Sequence, residues 1–150
     1  MECGAFDYVV ATKFLNYNNS VYEKLFDWNR LETEDDRKLC RDFENYADVV
    51  VEKTVYTCVN SHFLQRICPL NDGVFPEKLF LAGADTDCCV LKIAADLFEN
   101  NIRPVVLTNY CDSNGGPKSH LAGIACLKRL IGKKQLFSGE IKSKEDLLSI

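Results

Sequence analysis

Cys88 and Cys89 follow the run Gly83-Ala84-Asp85-Thr86-Asp87 and precede Val90. An apolar run, Leu79-Phe80-Leu81-Ala82, leads in, and an amphipathic run, Leu91 to Phe98, leads out. The pattern predicts a strand, a tight turn and a helix with a cysteine at its start. Unpaired backbone N–H groups and the helix dipole favour a thiolate in that place. The same N–H groups can hold a developing oxyanion. One short segment can therefore supply both a nucleophile and its oxyanion hole. Lys53 is the second residue of interest. It closes the apolar run Val49-Val50-Val51-Glu52, and open α/β sheets place their sites at the carboxyl ends of strands. An ammonium near a thiolate would hold it and orient a substrate or water; the alternative is a solvated lysine ending a strand. Phe14, Asn16, Tyr17, Trp28, Tyr56 and Tyr110 can line a pocket at that same edge. Phe14, Asn16 and Tyr110 follow strands and have the best claim, against ordinary core or interface packing for each aromatic. The two histidines, His62 and His120, are far apart and lack ligand spacing; each is expected to play a plain surface or helix role, and no metal or other cofactor is expected. Gly115-Gly116 has no strand-linked Gly-x-Gly-x-x-Gly around it and reads as a loop rather than a nucleotide cradle.

The elements that must position these groups follow from the pattern. Strands are predicted near 7–14, 48–53, 78–83 and 103–109, with a short one at 135–137. The strand at 7–14 is nearly continuous in apolar residues, which suggests a parallel sheet covered on both faces. Helices are predicted from a Ser20 cap to about Trp28, from a Thr33 cap over 34–45, over 59–68 with a stop at Pro69, over 87–100, from Pro117 to about Ile131, and after Ser143. Alternating strands and helices imply an α/β fold with a mostly parallel sheet, in three layers.

With these residues in view, Gly83-x-x-Thr86-Asp87-x-Cys89-Val90 after a strand resembles the nucleophile turn of the isochorismatase-like cysteine hydrolases, a superfamily that includes nicotinamidases and other amidohydrolases. The resemblance runs from about Asp7 to Phe137. It implies a doubly wound sheet, Cys89 as nucleophile with Cys88 structural, a cis peptide at Ala84–Asp85, and an oxyanion hole from the N–H groups of Asp85 and Cys89. Lys53-Thr54-Val55-Tyr56-Thr57 resembles the family's catalytic lysine segment, usually Lys-x-x-Tyr-Ser-x-Phe; Thr57 and Val59 depart from it. The family's third catalytic residue is an aspartate ending a first strand, in a pattern like apolar-Ile-Asp-x-Gln. No segment here carries that pattern, and Asp7 opens its strand rather than ending it. The resemblance thus implies a single domain, 1–150, lacking the N-terminal central strand of a sheet ordered 3-2-1-4-5-6. The strands at 7–14 and 78–83 would flank the vacancy. They pair directly, or another polypeptide fills the slot, or the fragment is poorly stable. A premature or misplaced start explains this economically. Where nicotinamidases carry Asp-x-His and a further His, this chain reads Thr12-Lys13-Phe14-Leu15-Asn16, with no histidine, which argues against their metal site. A cysteine nucleophile argues against the vinyl-ether chemistry of isochorismatase proper.

Bulk properties bound the function. One hundred and fifty residues make one domain by length. The net charge is −4 with both signs interspersed, so nucleic acid is not an expected partner. No apolar run approaches the ~20 residues that span a bilayer, and Met1 to Ala5 shows no signal-peptide pattern. Eight cysteines in 150 residues, about 5%, fall below the ~8–10% of disulfide scaffolds. They read as reduced thiols of a cytoplasmic protein. The expected partners are a small-molecule substrate and a second copy of the chain in a homo-oligomer. The expected activity is cleavage of a small amide or related C–N bond through a cysteine thioester, weak or absent in this form; the alternative is a non-catalytic interaction protein that keeps the fold.

Overall fold

Two runs of β-branched residues start the architecture. Strand β1 (Val10–Phe14) pairs in parallel with β2 (Val49–Lys53), Val10 opposite Val49 and Phe14 opposite Lys53. A second parallel sheet has the order β3 (Lys78–Ala84), β4 (Arg103–Asp112), β5 (Leu136–Phe137). The computed structural model describes residues 4–39, 43, 45–148 and 150. Parallel pairing throughout, with helices between the strands, is the α/β class expected from the sequence. The strand predicted from residue 7 begins at Val10, which leaves Asp7 outside it.

The chain divides into two compact units. One is Tyr8–Cys58; the other is Val59–Ile150 together with the N-terminal segment up to Asp7. The first unit holds β1, β2 and helix α1 (Val21–Phe26). Ser20 caps α1 by accepting a hydrogen bond from the Glu23 N–H at 3.1 Å. The helix stops before Trp28 because Asp27 turns left-handed, at φ 52°. The helix predicted over 34–45 is not seen in its first turn. Residues 34–37 form a turn, with the Thr33 hydroxyl capping the Asp36 N–H at 3.1 Å. The rest of that prediction falls mainly on residues 40–42 and 44, outside the described set.

The second unit carries α2 (Ser61–Ile67), α3 (Leu91–Glu99), α4 (Pro117–Leu130) and α5 (Lys144–Leu148). Asn60 caps α2, and at Pro69 the chain tightens into a 3₁₀ turn over Cys68–Asn71, since proline cannot donate the next helical hydrogen bond. Strand β4 is buried from Pro104 to Thr108, the continuous burial of a strand covered on both faces. The core gathers Val90 and Ala94, Val106 from β4, and Leu127 and Ile131 at the end of α4. Leu97 and Leu127 are fully buried, and each such side chain contributes about 1.5–3 kcal/mol. That core fixes α3 and α4 against β4, and with them the turn between β3 and α3. Among the described residues no helix is long and apolar enough to cross a membrane.

Candidate active site

The β3–α3 connection is built residue by residue. Gly83 sits at φ +118°, a conformation that side-chain-bearing residues rarely adopt. The β3–β4 register shifts between Leu81 and Gly83, after which Gly83 faces Cys111 and Ala84 faces Asp112. The Ala84–Asp85 peptide is cis. Thr86–Val90 then forms a single π-helical turn that runs into α3. The Asp85 carbonyl accepts from Cys88 N–H at 3.2 Å and from Val90 N–H at 3.0 Å. One-turn π segments cluster at functional sites because the wider turn re-aims side chains. The helix therefore starts at Thr86, three residues before Cys89, rather than at the cysteine itself.

The thiols around this turn differ. Cys89 is half-buried in it. The Cys88 thiol is pushed up, first by burial and then by the charges of Asp87, Asp85 and Cys89. Burial raises the Cys111 thiol to about 11, partly offset by a hydrogen bond with the Gly83 backbone. Cys88 and Cys111 thus stay protonated near neutral pH. Cys58 is buried and Cys126 exposed.

Three consecutive residues of the turn are tied to the end of β4, the loop after it and the start of α4. Asn114 N–H donates to Asp85 Oδ1 at 2.8 Å, and the Ser113 hydroxyl donates to Asp87 Oδ1 at 2.6 Å. The Thr86 hydroxyl donates to the Asp112 carbonyl at 3.0 Å and lies 2.8 Å from His120 Nδ1. Gly123 of α4 presses on the same turn. A Cβ there would meet Asp87 Cα and N at 2.8 Å and the Thr86 carbonyl carbon at 2.9 Å. Sequence reasoning gave His120 a plain helix role and passed over Ser113 and Gly123. Their only sequence signal was position, in the loop and first turns after a strand's carboxyl end.

In the other unit, Lys53 ends β2 and is 7% exposed. Its Nζ donates to the carbonyls of Val55 and Tyr56, at 3.1 and 3.0 Å, and lies 5.0 Å from the centre of the Phe14 ring. A buried ammonium needs such acceptors, and an aromatic face adds attraction. Phe14 meets Tyr22 edge-on at 5.2 Å and Trp28 at 5.9 Å, and Tyr22 meets Tyr56 at 5.3 Å. Lys53, Phe14 and Tyr56 therefore come together, with Trp28 joining them. Tyr22, central to the cluster, was missed because it reads as an ordinary helix residue. Asn16 is buried and pins the adjacent loop: its Nδ2 donates to the Trp28 carbonyl at 3.1 Å, and its carbonyl accepts from Arg37 at 2.5 Å. Asn16 Oδ1 is a buried acceptor with no hydrogen-bond partner among the described residues. Tyr17 is exposed.

Tyr110 belongs to the second unit, on β4, where its hydroxyl accepts from Ile141 N–H at 3.0 Å. His62 is exposed on α2. Asp7 pairs at the surface with Lys144 at 2.5 Å, a contact of small energetic weight. Among the described residues, no group of three or more His, Cys, Asp or Glu side chains is placed to hold a metal.

Comparison with known proteins matches the family model of the isochorismatase domain over residues 6–134. Comparison with curated proteins finds no match. Among solved structures, an isochorismatase-like hydrolase from Alkaliphilus metalliredigens superposes with a TM-score of 0.72 at 14% identity, covering 95% of this chain and 72% of its own. An N-carbamoylsarcosine amidase from Thermoplasma acidophilum gives 0.68 at 22% identity, covering 90% and 75%. A nicotinamidase from Bacillus subtilis gives 0.64 at 24% identity, covering 83% and 72%. At these identities the likeness shows a shared fold.

Proposed function

The chain belongs to the isochorismatase family, and from that premise we propose that it is a cysteine hydrolase of small amides or related C–N bonds, acting in the cytoplasm on a small-molecule substrate. The reading rests on the place of Cys89. It stands in the helical turn just past the carboxyl end of a parallel strand, beside a Cys88 thiol that burial and two carboxylates hold protonated. In this reading the Cys89 thiolate attacks the carbonyl carbon, and a C–S bond forms as the carbonyl oxygen takes up negative charge. The backbone N–H groups of Asp85 and Cys89 stabilise that oxyanion. Collapse breaks the C–N bond, and the amine leaves with the proton the thiol gave up. Water then attacks the thioester, the C–S bond breaks, and a carboxylic acid and the thiol are regenerated. Lys53 is proposed for the role of the family's catalytic lysine, and Phe14, Asn16, Tyr56 and Tyr110 as substrate-facing residues; no metal is part of this reading.

The family's aspartate pattern does not occur in these 150 residues, and positioned acid–base groups contribute about 10²–10⁴-fold. The polypeptide alone is therefore proposed to be slow. The test is hydrolysis of a panel of small amides, with mass spectrometry of acid-quenched samples for an acyl group on Cys89. An acyl adduct on Cys89, lost in Cys89→Ala, is the expected result. No adduct and no turnover would instead favour a non-catalytic protein that keeps the fold's surfaces.

A further inference from the structure

The hydrogen bonds around Thr86 assign a proton. A threonine hydroxyl has one hydrogen to give and lone pairs to accept with. The Thr86 hydrogen goes to the Asp112 carbonyl at 3.0 Å, so at the 2.8 Å contact with His120 Nδ1 the Thr86 oxygen must accept. Nδ1 of His120 therefore carries a hydrogen. Thr86 has no solvent exposure, so water cannot replace either partner without opening the turn. His120 lies in the first turn of α4, and Gly123, three residues on, brings that helix onto the backbone of Thr86 and Asp87. Helix and nucleophile turn thus meet at one point by close packing and at another by a single directed donor.

We propose that His120 is a positioning residue for Cys89: its Nδ1–H, received by the Thr86 hydroxyl, locks the Thr86–Val90 turn to α4 and so sets the direction of the Cys89 thiol. The proposal rests on the reading of Cys89 as nucleophile and adds a residue that touches neither substrate nor thiol. Close packing at Gly123 fixes how near the helix comes. The His120 hydrogen bond fixes the rotation of the turn about that contact, because a hydrogen bond is directional and an apolar contact is not. The Ser113–Asp87 and Asn114–Asp85 bonds hold the flanking residues on the same side.

The test exploits the two nitrogens of the ring. Asparagine places an amide N–H close to where Nδ1 stands; glutamine reaches toward the Nε2 position; leucine keeps bulk and donates nothing. The readout is the second-order rate of Cys89 alkylation by iodoacetamide on the full 150-residue chain, resolved by peptide mapping, with thermal unfolding of each variant alongside. His120→Asn should label within about twofold of the unchanged chain. His120→Leu and His120→Gln should differ from it by about tenfold, the effect of losing one buried hydrogen bond. Should His120→Leu fail to fold, Thr86→Ser against Thr86→Val asks the same question from the other partner, serine retaining the rate and valine losing it. Equal rates for Asn, Gln and Leu, or for Ser and Val, would overturn the proposal. The nucleophile reading fails separately, if Cys89→Ala leaves amide hydrolysis intact; the alkylation ratios need no turnover and remain readable.

Discussion

Asp85, Thr86 and Asp87 find their side-chain partners 26 to 34 positions along the chain, whereas Lys53 finds two carbonyl acceptors two and three positions away. The Cys89 turn takes its shape from tertiary structure: a strand, the loop beyond it and a helix must all be in place. The Lys53 ammonium is held by carbonyls of its own segment and by the ring of Phe14 from β1, which packs in turn against Tyr22 and Trp28. The two regions are therefore vulnerable in different places. Damage to packing anywhere between Asp112 and Gly123 reaches the thiol. The lysine answers chiefly to changes in its immediate neighbourhood. Each unit also has its own reporter, Cys89 alkylation for one and the fluorescence of Trp28, the single tryptophan, for the other.

The largest effect is expected at the thiol itself. Cys89→Ala should lower amide turnover by at least about 10⁴-fold, as removal of a covalent nucleophile does in comparable sites, while Trp28 fluorescence stays unchanged. In the unchanged chain Cys89 should be the thiol labelled first by limiting iodoacetamide. Cys111 should stay unlabelled until the pH approaches 11, because burial raises its thiol to about that value. The same shift links to stability. A thiol raised in the folded state favours folding up to its unfolded value near 8.5, and that contribution fades as pH climbs through the folded one. This contribution to stability should therefore start to fall above about pH 9. Early labelling of Cys111 or Cys126 at neutral pH would contradict the assignment of Cys89.

Lys53→Met comes next. Methionine matches the length and bulk of the buried stem without the charge. Turnover should fall by about 10²–10³-fold, the range for removing one electrostatic stabiliser. Val55 and Tyr56 are exposed, so water can take up the two carbonyls that lose their donor. Stability should then change by less than about 1 kcal/mol, read as an unchanged urea midpoint of Trp28 fluorescence. A large shift in that midpoint would mean that Lys53 is chiefly a structural residue.

How much of this was legible in the sequence follows the same division between local and long-range contacts. Local signals named the strands, the Ser20 cap, Pro117 at the start of α4, the turn at Cys88-Cys89 and Lys53 at a strand end. Those features depend on a few adjacent residues. The roles of His120, Ser113 and Gly123 depend on partners 26 or more positions distant, so composition and spacing gave nothing to distinguish them from any loop or helix residue. The predicted helix over 34–45 shows the opposite failure. Thr33 does cap the turn, and the acidic first turn suits a helix, yet residues 34–37 form only a turn. Capping marks where a helix can start and carries no information about packing that would extend it.

Gly123→Ala tests the tertiary side of the comparison directly. The added methyl would meet backbone atoms at 2.8–2.9 Å, and backbone cannot swing aside as a long side chain does. Overpacking of this kind costs about 1–3 kcal/mol, against a gain of up to about 1 kcal/mol from alanine's better helix propensity. A net loss of stability with a changed Cys89 alkylation rate is expected, and the native Trp28 emission maximum should hold. A variant as stable as the parent, with Cys89 labelled at the same rate, would show that α4 does not constrain the turn.

The smallest effect is expected at Ser20, and it separates the two regions most sharply. The Ser20 hydroxyl accepts from Glu23 N–H at 3.1 Å and satisfies one of the orphan donors at the start of α1. Alanine there should cost about 1 kcal/mol, the usual loss for a serine cap. The cost is kept from being higher because the Glu23 carboxylate reaches back to the Asn19 N–H and still holds that end of the helix. Helix α1 carries Tyr22, which packs against Phe14 and Tyr56, and the Tyr22 carbonyl accepts from Trp28 N–H at 3.2 Å. Fraying α1 must therefore reach Trp28. Ser20→Ala should move the urea midpoint of Trp28 fluorescence to lower concentration and leave the native-state Cys89 alkylation rate where it was, since the side-chain partners described for Asp85, Thr86 and Asp87 lie between Asp112 and His120. If instead the Cys89 rate shifts along with the Trp28 midpoint, the turn depends on α1 through a route other than its hydrogen bonds, and the division between a tertiary thiol site and a local lysine site would have to be abandoned.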